Sequence, residues 1–421
     1  MPPPPAPSPH RRVLLLGAIT ALGSLAIHMF VPAMPIAALA LGGSPSLMQL
    51  TLTLYLIGVG TGQIISGPLA DHVGRRPVLL GGIAVFALGS VLCWLAGSVP
   101  VLLGGRLVQA LGASAGLVVG RAMIGDGAEG RGARDMALLT AIVMLSPMVA
   151  PLLGSFLVEM GGWRAIFAVL TLLGLACGGA ALRWLPETFV PRASDSSLLT
   201  NWAKVLANRI FLRNLLLGTS FTAGLYVFLG ASPFLLVDFY GADAHGLGVY
   251  YGAVALGAGA GALSVSRFGG RLGGPNMMRV GASIAMIGAT GFLAAAALGR
   301  HEVLAMIIPM AIFSFGGGLV VPNAFVAGLT GSPDHVGTAV SAFGALQMLG
   351  NAAVSSLVAA LAPHSPLPVA VAIAGLSLLT MILTVAPSAV RLARTSARLT
   401  RLVGTTVWAA IKRLAAIGYG S

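Results

Sequence analysis

Charge is scarce in this sequence. Asp, Glu, Lys and Arg make up 8% of its 421 residues, against roughly 25% in a water-soluble domain that must cover itself with water-binding groups. A soluble enzyme is therefore excluded, and so is a soluble domain on a lipid anchor, because the apolar surplus runs along nearly the whole chain (57% hydrophobic, mean hydropathy +0.94). Acidic residues number only 11 against 24 basic ones. In a soluble protein such an excess would suggest nucleic acid; in a chain this oily it reads as basic loops on the cytoplasmic side of a membrane, and no nucleic-acid partner is expected. Cysteine is nearly absent. Cys93 and Cys177 both fall inside apolar runs and read as small buried hydrophobes, with no spacing for a metal site or a disulfide framework. No G-x-x-x-x-G-K-[ST] loop occurs either, so nothing points to ATP as a fuel. No cofactor and no metal are expected.

What is present is a series of apolar runs of about 20 residues, rich in Leu, Ala and Gly and without period-two alternation, which favours membrane helices over a barrel. Punctuation by charge, Gly and Pro places them at 13–38, 46–68, 77–97, 101–123, 136–159 and 163–185, then at 213–237, 246–267, 277–298, 302–326, 337–361 and 366–387. The fold class expected is an all-α integral membrane protein of twelve spans in two six-helix bundles, 13–185 and 213–387. A polar linker with one short amphipathic helix near 198–210 joins them across 186–212. Residues 1–12 read as a Pro-rich tail before an uncleaved first helix. With both termini inside, 21 of the 24 basic residues fall in cytoplasmic segments, a bias that sets orientation. The tail 388–421 spaces Arg residues opposite Leu392, Leu399, Leu402 and Trp408, as in a helix lying on anionic lipid.

Several motifs carry a mechanism. Between the second and third spans stand Gly67, Leu69, Ala70, Asp71, Gly74, Arg75, Arg76 and Leu79. A glycine at 67 lets two helices approach, one at 74 permits a tight turn, and Asp71 at the membrane edge needs a partner. Arg106, with Gln109, Gly112 and Gly116 behind it, sits inside the fourth span, where an unpaired charge is costly and should meet a partner or a wet cavity. Pro147 and Pro151 of the fifth span, with Gly154 beyond, lie on one helix face and each frees a carbonyl. His28 lies inside the first span, where an ionisable group is functional by default.

The loop at 67–79 resembles the signature G-x-L-a-D-x-x-G-r-[kr]-x-x-l of the major facilitator superfamily. The fourth-span residues are similar to that family's R-x-x-q-G-x-g-a pattern, with Ala110 in place of its first glycine. Ser146, Pro147, Pro151 and Gly154 resemble the fifth-span antiporter motif of drug exporters. With Gly162 to Phe167 and Pro186, Glu187 and Thr188, the resemblance narrows to the twelve-span drug:proton antiporters of the bicyclomycin and chloramphenicol resistance type. It is strong over about 13–190 and thins beyond, where 267–279 is a degenerate echo of the signature loop, as two parallel repeats would leave. It implies a cytoplasmic latch built on Gly67, Asp71, Gly74, Arg75 and Arg76, joined by Arg121 and Asp126. One departure matters: where those relatives usually carry a membrane-embedded Asp before Met29, this chain has His28.

Three roles for His28 follow: the proton site, a substrate-binding group for neutral or anionic cargo, or a helix–helix hydrogen bonder. Cavity candidates are Tyr55 and Gln63 on the second span, Met144 and Met148 on the fifth, Tyr226 and Phe228 on the seventh, and Gln347 and Asn351, one turn apart, on the eleventh. Aromatic and Met linings adapt to diverse apolar compounds. The expected function is a monomeric secondary transporter of the bacterial inner membrane, exporting small hydrophobic molecules in exchange for protons by alternating access. The rivals are a dedicated carrier of one neutral or anionic metabolite and a non-transporting scaffold or sensor.

Overall fold

The computed structural model describes residues 9–126, 132–189, 198–331, 336–361 and 365–385; the expected N-terminal tail lies largely, and the basic C-terminal helix wholly, outside them. The described residues form helices joined by short turns, and 12 of the helices are long and apolar enough to cross a membrane. In the first bundle these are His10–Leu41, Pro45–Val73, Arg75–Trp94, Val99–Asp126, Arg134–Gly161 and Trp163–Trp184. The second comprises Arg209–Phe239, Leu247–Leu272, Gly274–Ala297, Leu304–Leu329, Val336–Ala360 and Pro366–Val385.

Local chemistry sets the breaks. The first span is not one continuous α-helix: it tightens to a 3-10 turn over Val31–Ala33, because Pro32 and Pro35 remove two backbone donors within four residues. Ser44 caps the second span through Leu47 N–H at 3.3 Å, the usual role of a serine before a helix. The amphipathic linker helix runs Leu198–Ala207 and stops short of the expected 210, because Asn208 turns extended and caps the seventh span instead, accepting from Ile210 and Phe211 N–H. Gly74 and Gly273 both adopt positive φ, +108° and +74°, each where the helix of a third span begins (the third and the ninth). That shared turn fits two related halves.

Where the halves meet, small and hydroxyl residues replace bulk. Thr53 and Ser356 join the second and eleventh spans at 3.2 Å. Farther along the same seam, Ser341 Oγ donates to the Gln63 carbonyl at 3.1 Å. On the other flank, Gly248 N–H of the eighth span donates to Ser155 Oγ of the fifth at 2.8 Å. The turn at Val31–Ala33 packs on the seventh and eighth spans between these two seams.

Candidate functional site

The first bundle is built around a buried cation. Arg106 is 1% exposed and has no carboxylate partner among the described residues. Its Nη1 donates to the Ala26 carbonyl at 3.0 Å and to Gln109 Oε1 at 2.7 Å. Gln109 Nε2 in turn donates to Ser90 Oγ at 2.8 Å, and Ser90 to the Phe86 carbonyl at 2.8 Å. The guanidinium lies 4.2 Å from the Tyr55 ring centroid, 5.3 Å from Phe30 and 5.9 Å from Phe167, while Tyr55 hydroxyl is tied to the Gly23 carbonyl at 3.0 Å. A desolvated cation–π contact contributes about 2 kcal/mol and a charged hydrogen bond about 1.5–3 kcal/mol. Together they are enough to offset the roughly 2.5–3.5 kcal/mol cost of an arginine at mid-membrane on insertion scales. The expected partner of Arg106 is thus an aromatic cage and a backbone oxygen, which tie together the first, second, third, fourth and sixth spans.

His28 is half-buried one turn beyond Ser24. Its Nδ1 lies 2.8 Å from the Ser24 carbonyl and 3.3 Å from Ser24 Oγ. A carbonyl can only accept, so Nδ1 carries the proton, and in the neutral ring the Nε2 lone pair is free. No described residue bonds to Nε2. Next to it the fifth span crosses the first so tightly that a Cβ on Gly154 would overlap the Met29 carbonyl. The same span bends at Pro147 and Pro151. Pro147 removes the donor for the Val143 carbonyl, and Ser146 Oγ supplies one at 2.8 Å. The Pro151 carbonyl then faces Gly248 of the second bundle. The fifth-span motif therefore stands between the His28 segment and the eighth span.

At the Arg-rich end, the signature loop closes a network within the first bundle. Arg75 bridges Asp71 (Nη1–Oδ1, 2.6 Å) and Asp126 (Nε–Oδ2, 3.1 Å). Gly67 lies against Val118 and against Ser341 of the other bundle. Arg121 has no polar partner among the described residues. The residue that sequence reasoning missed as a member of this network is Glu187. Its Oε1 accepts from Arg75 N–H at 3.0 Å and from Thr188 and Phe189 N–H at 2.9 Å, and its Oε2 from Arg76 N–H at 3.1 Å. A carboxylate thereby caps the third span at its positive end. Partial burial pushes the Glu187 pKa up, but the donors from Phe189, Arg76, Thr188 and Arg75 outweigh it and hold the group below the usual carboxylate value. Arg76 Nη2 completes the exchange by capping the sixth span at the Leu182 carbonyl, 2.6 Å away. The sequence signal was a lone acid just past the end of an apolar run.

The cavity candidates separate. Tyr55 floors the Arg106 cage, and Tyr226 is buried on the seventh span, its carbonyl 3.4 Å from Ser355 Oγ. Gln63 is in the seam against Gly344 and Met148 in the seam against Gly259, while Met144 is exposed. Phe228 points away, buried against Tyr251 inside the second bundle with ring centroids 6.1 Å apart. Gln347 and Asn351 are buried opposite the seventh span, where Thr222 Oγ1 donates to the Gly218 carbonyl and lies 2.9 Å from the Asn351 side-chain amide. No group of three or more His, Cys, Asp or Glu able to hold a metal occurs among the described residues.

Known proteins match this chain over most of its length. The family model described as Major Facilitator Superfamily matches residues 16–355. A chloramphenicol resistance protein of Pseudomonas aeruginosa is 33% identical over 342 residues, covering 78% of this chain and 79% of the relative. Multidrug resistance protein D of Escherichia coli K12 is 28% identical over 350 residues, covering 83% and 88%. Among solved structures, a D-xylose-proton symporter superposes with a TM-score of 0.71 at 16% identity, over 89% of this chain and 97% of that one, a likeness of fold. Twelve apolar spans, the signature loop closed on Asp71 and Arg75, and a family match across both bundles lead to one assignment: the chain belongs to the major facilitator superfamily and is a multi-pass inner-membrane transporter, not an enzyme.

Proposed function

We propose that this protein exports small hydrophobic molecules in exchange for protons, with His28 as the proton site and the two bundles rocking about a shared pocket. The observation that carries this reading is the His28 ring: its tautomer is fixed by the Ser24 carbonyl, which leaves a free Nε2 lone pair in mid-span. Every Asp and Glu of the described spans lies at or near a span end (Asp71, Asp126, Asp135, Glu159 and Asp238), and Arg106 is consumed by its cage. His28 is then the group able to load and release a proton inside the first bundle. The drug-resistance names of the relatives support apolar cargo. A pocket with His28 and no carboxylate favours neutral or anionic molecules over cations. That feature also supports the second reading, a dedicated carrier of one neutral or anionic metabolite.

Proton coupling is tested in proteoliposomes under an imposed pH gradient, comparing wild type with His28→Gln. Glutamine can still donate to the Ser24 carbonyl but cannot titrate. The expected result is gradient-driven accumulation of substrate by the wild type and only downhill equilibration by the variant. Accumulation unchanged in His28→Gln would overturn the assignment.

A further inference from the structure

The third and ninth spans start at matching glycine turns, Gly74 and Gly273, yet the arginines around the two turns are treated differently. In the first bundle Arg75 is closed between Asp71 and Asp126, and Glu187 accepts from Arg75 and Arg76 N–H. In the second, Arg267 and Arg271 stand one helical turn apart at the end of the eighth span, both exposed and both without a polar partner among the described residues. Arg279, beyond the turn, donates to a neutral acceptor, Asn276 Oδ1, at 3.4 Å. The described acids of the second bundle, Asp238, Asp243 and Glu302, all lie at its other end, and Asp334 falls outside the described residues. Like charges four apart on a helix repel, and no described acid relieves this pair. Interleaved with the arginines are Leu263, Phe268 and Leu272, with Val280 across the turn, all exposed. Orientation in a membrane accounts for basic residues at this end. It does not account for their lack of acids, nor for an exposed phenylalanine between them.

We propose that the turn between the eighth and ninth spans is a binding site for an anionic phospholipid. The phosphodiester accepts from the guanidinium groups of Arg267 and Arg271, whose planar forks suit phosphate oxygens, and its charge removes the repulsion between them. Arg279 adds a third cation across the turn. Phe268 and Leu272 reach the acyl region beneath that headgroup, as the apolar side of an interfacial helix does. A free anion would engage the arginines and leave those two side chains in water, whereas a lipid engages both sets. A zwitterionic headgroup brings its own cation to a turn that is already positive, and binds less well. One turn is thus closed by the protein's own acids and the other by the membrane. This holds whatever the chain transports.

The test titrates the purified full chain in neutral detergent with phosphatidylglycerol, phosphatidylcholine or inorganic phosphate, and counts bound lipid by native mass spectrometry. Wild type is compared with the double variant Arg267→Gln, Arg271→Gln; the tail at 388–421 is the same in both, so binding there cancels. The double variant should hold one phosphatidylglycerol fewer, with that site weakened about thirtyfold, and either single variant should weaken it about fivefold. Arg267→Lys with Arg271→Lys keeps both charges and should stay within about fivefold of wild type, and Arg300→Gln, at the other end of the bundle, should change nothing. Should the glutamine pair fail to fold, the single variants carry the same decision. Phosphatidylglycerol binding unchanged by the glutamine substitutions would overturn the site, and so would equal binding of phosphatidylcholine by wild type. Inorganic phosphate displacing the lipid at equal concentration would assign the turn to a free anion, and the lipid proposal would fall.

Discussion

Of the basic side chains in the first bundle, Arg106 and His28 lie in mid-span, and the chain treats them differently. Arg106 is held by one end of its guanidinium: its Nη1 is bonded, its plane lies over Tyr55, and Gln109 relays its pull to the third span, while Nε is buried without a hydrogen-bond partner among the described residues. Arg106→Ala should therefore act first on stability. It removes a large buried side chain and strands Gln109 Oε1 and the Ala26 carbonyl, a loss of about 3 kcal/mol or more, read as a lower melting temperature in detergent. Arg106→Lys should recover only part of it: an ammonium can still donate to the two acceptors that Nη1 alone serves, but it cannot lie as a plane over Tyr55. A lysine variant as stable as wild type would show that charge alone is what the cage needs. His28, by contrast, keeps one nitrogen free, and its substitution should act on coupling with little effect on stability. Both residues were legible in the sequence for one reason: ionisable groups in apolar runs are rare enough to stand out. Which was cage and which was free was not legible, because partners such as Ala26 O and Phe167 come from helices folded together only in three dimensions. Tyr226 and Phe228 make the same point. They are two positions apart on one helix, about 200° around it, so the two could not face the same way, and only the packed structure shows that Phe228 lies on Tyr251.

At the scale of elements, the spans themselves were readable to within a few residues, because about 20 apolar residues between charges leave few alternatives. Their ends were harder. The first span breaks at Val31–Ala33 and the linker helix stops at Ala207, each decided by one proline or asparagine whose local bond outweighs the hydrophobic pattern. Glu187 was part of the sequence resemblance, but its place in the loop network was not legible for a related reason: its partners Arg75 and Arg76 stand more than 100 residues earlier. As the cap of the third span it should contribute about 1 kcal/mol. Its pKa is held below the ordinary carboxylate value, so this contribution is complete above the unfolded group's pKa and fades as pH falls through the folded one. Glu187→Gln should lower the melting temperature at pH 7, and the deficit should shrink as the pH is taken down through the carboxylate's folded-state pKa. A deficit that stays constant throughout an acid titration of both proteins would assign Glu187 a role unrelated to its charge. Gly154 admits a sharper test of element packing. Alanine there would press on the Met29 backbone, which cannot yield as a side-chain tip could, so Gly154→Ala should cost about 2 kcal/mol and slow transport. Wild-type stability in that variant would mean the fifth span does not cross the first where the structure puts it.

The described spans form two bundles that meet along two seams, and those seams are what a rocking mechanism must break and remake. Each is lined by residues too small to interlock: Gly60 against Ala345 and Leu349, Gly248 against Ser155, Gly259 against Met148. Such contacts pack closely yet bring no ion pair to be severed, and among the described residues no salt bridge crosses from one bundle to the other. The cross-seam hydrogen bonds are few and use hydroxyls or backbone, as in Thr53 with Ser356 and Ser341 with the Gln63 carbonyl. Each contributes about 1 kcal/mol, a barrier that substrate or proton binding can overcome. The seam at Thr53 and Ser356 thus offers a direct test of rocking. In a background with Cys93 and Cys177 replaced by alanine, Thr53→Cys with Ser356→Cys should form a disulfide under mild oxidation. Transport should stop when it forms and return when it is reduced, while either single cysteine transports throughout. If the cross-linked protein, with the bond verified by mass spectrometry, still transports at the reduced protein's rate, then this seam does not open during the cycle. The rocking proposed above would then have to be replaced by a motion that leaves the second and eleventh spans in contact.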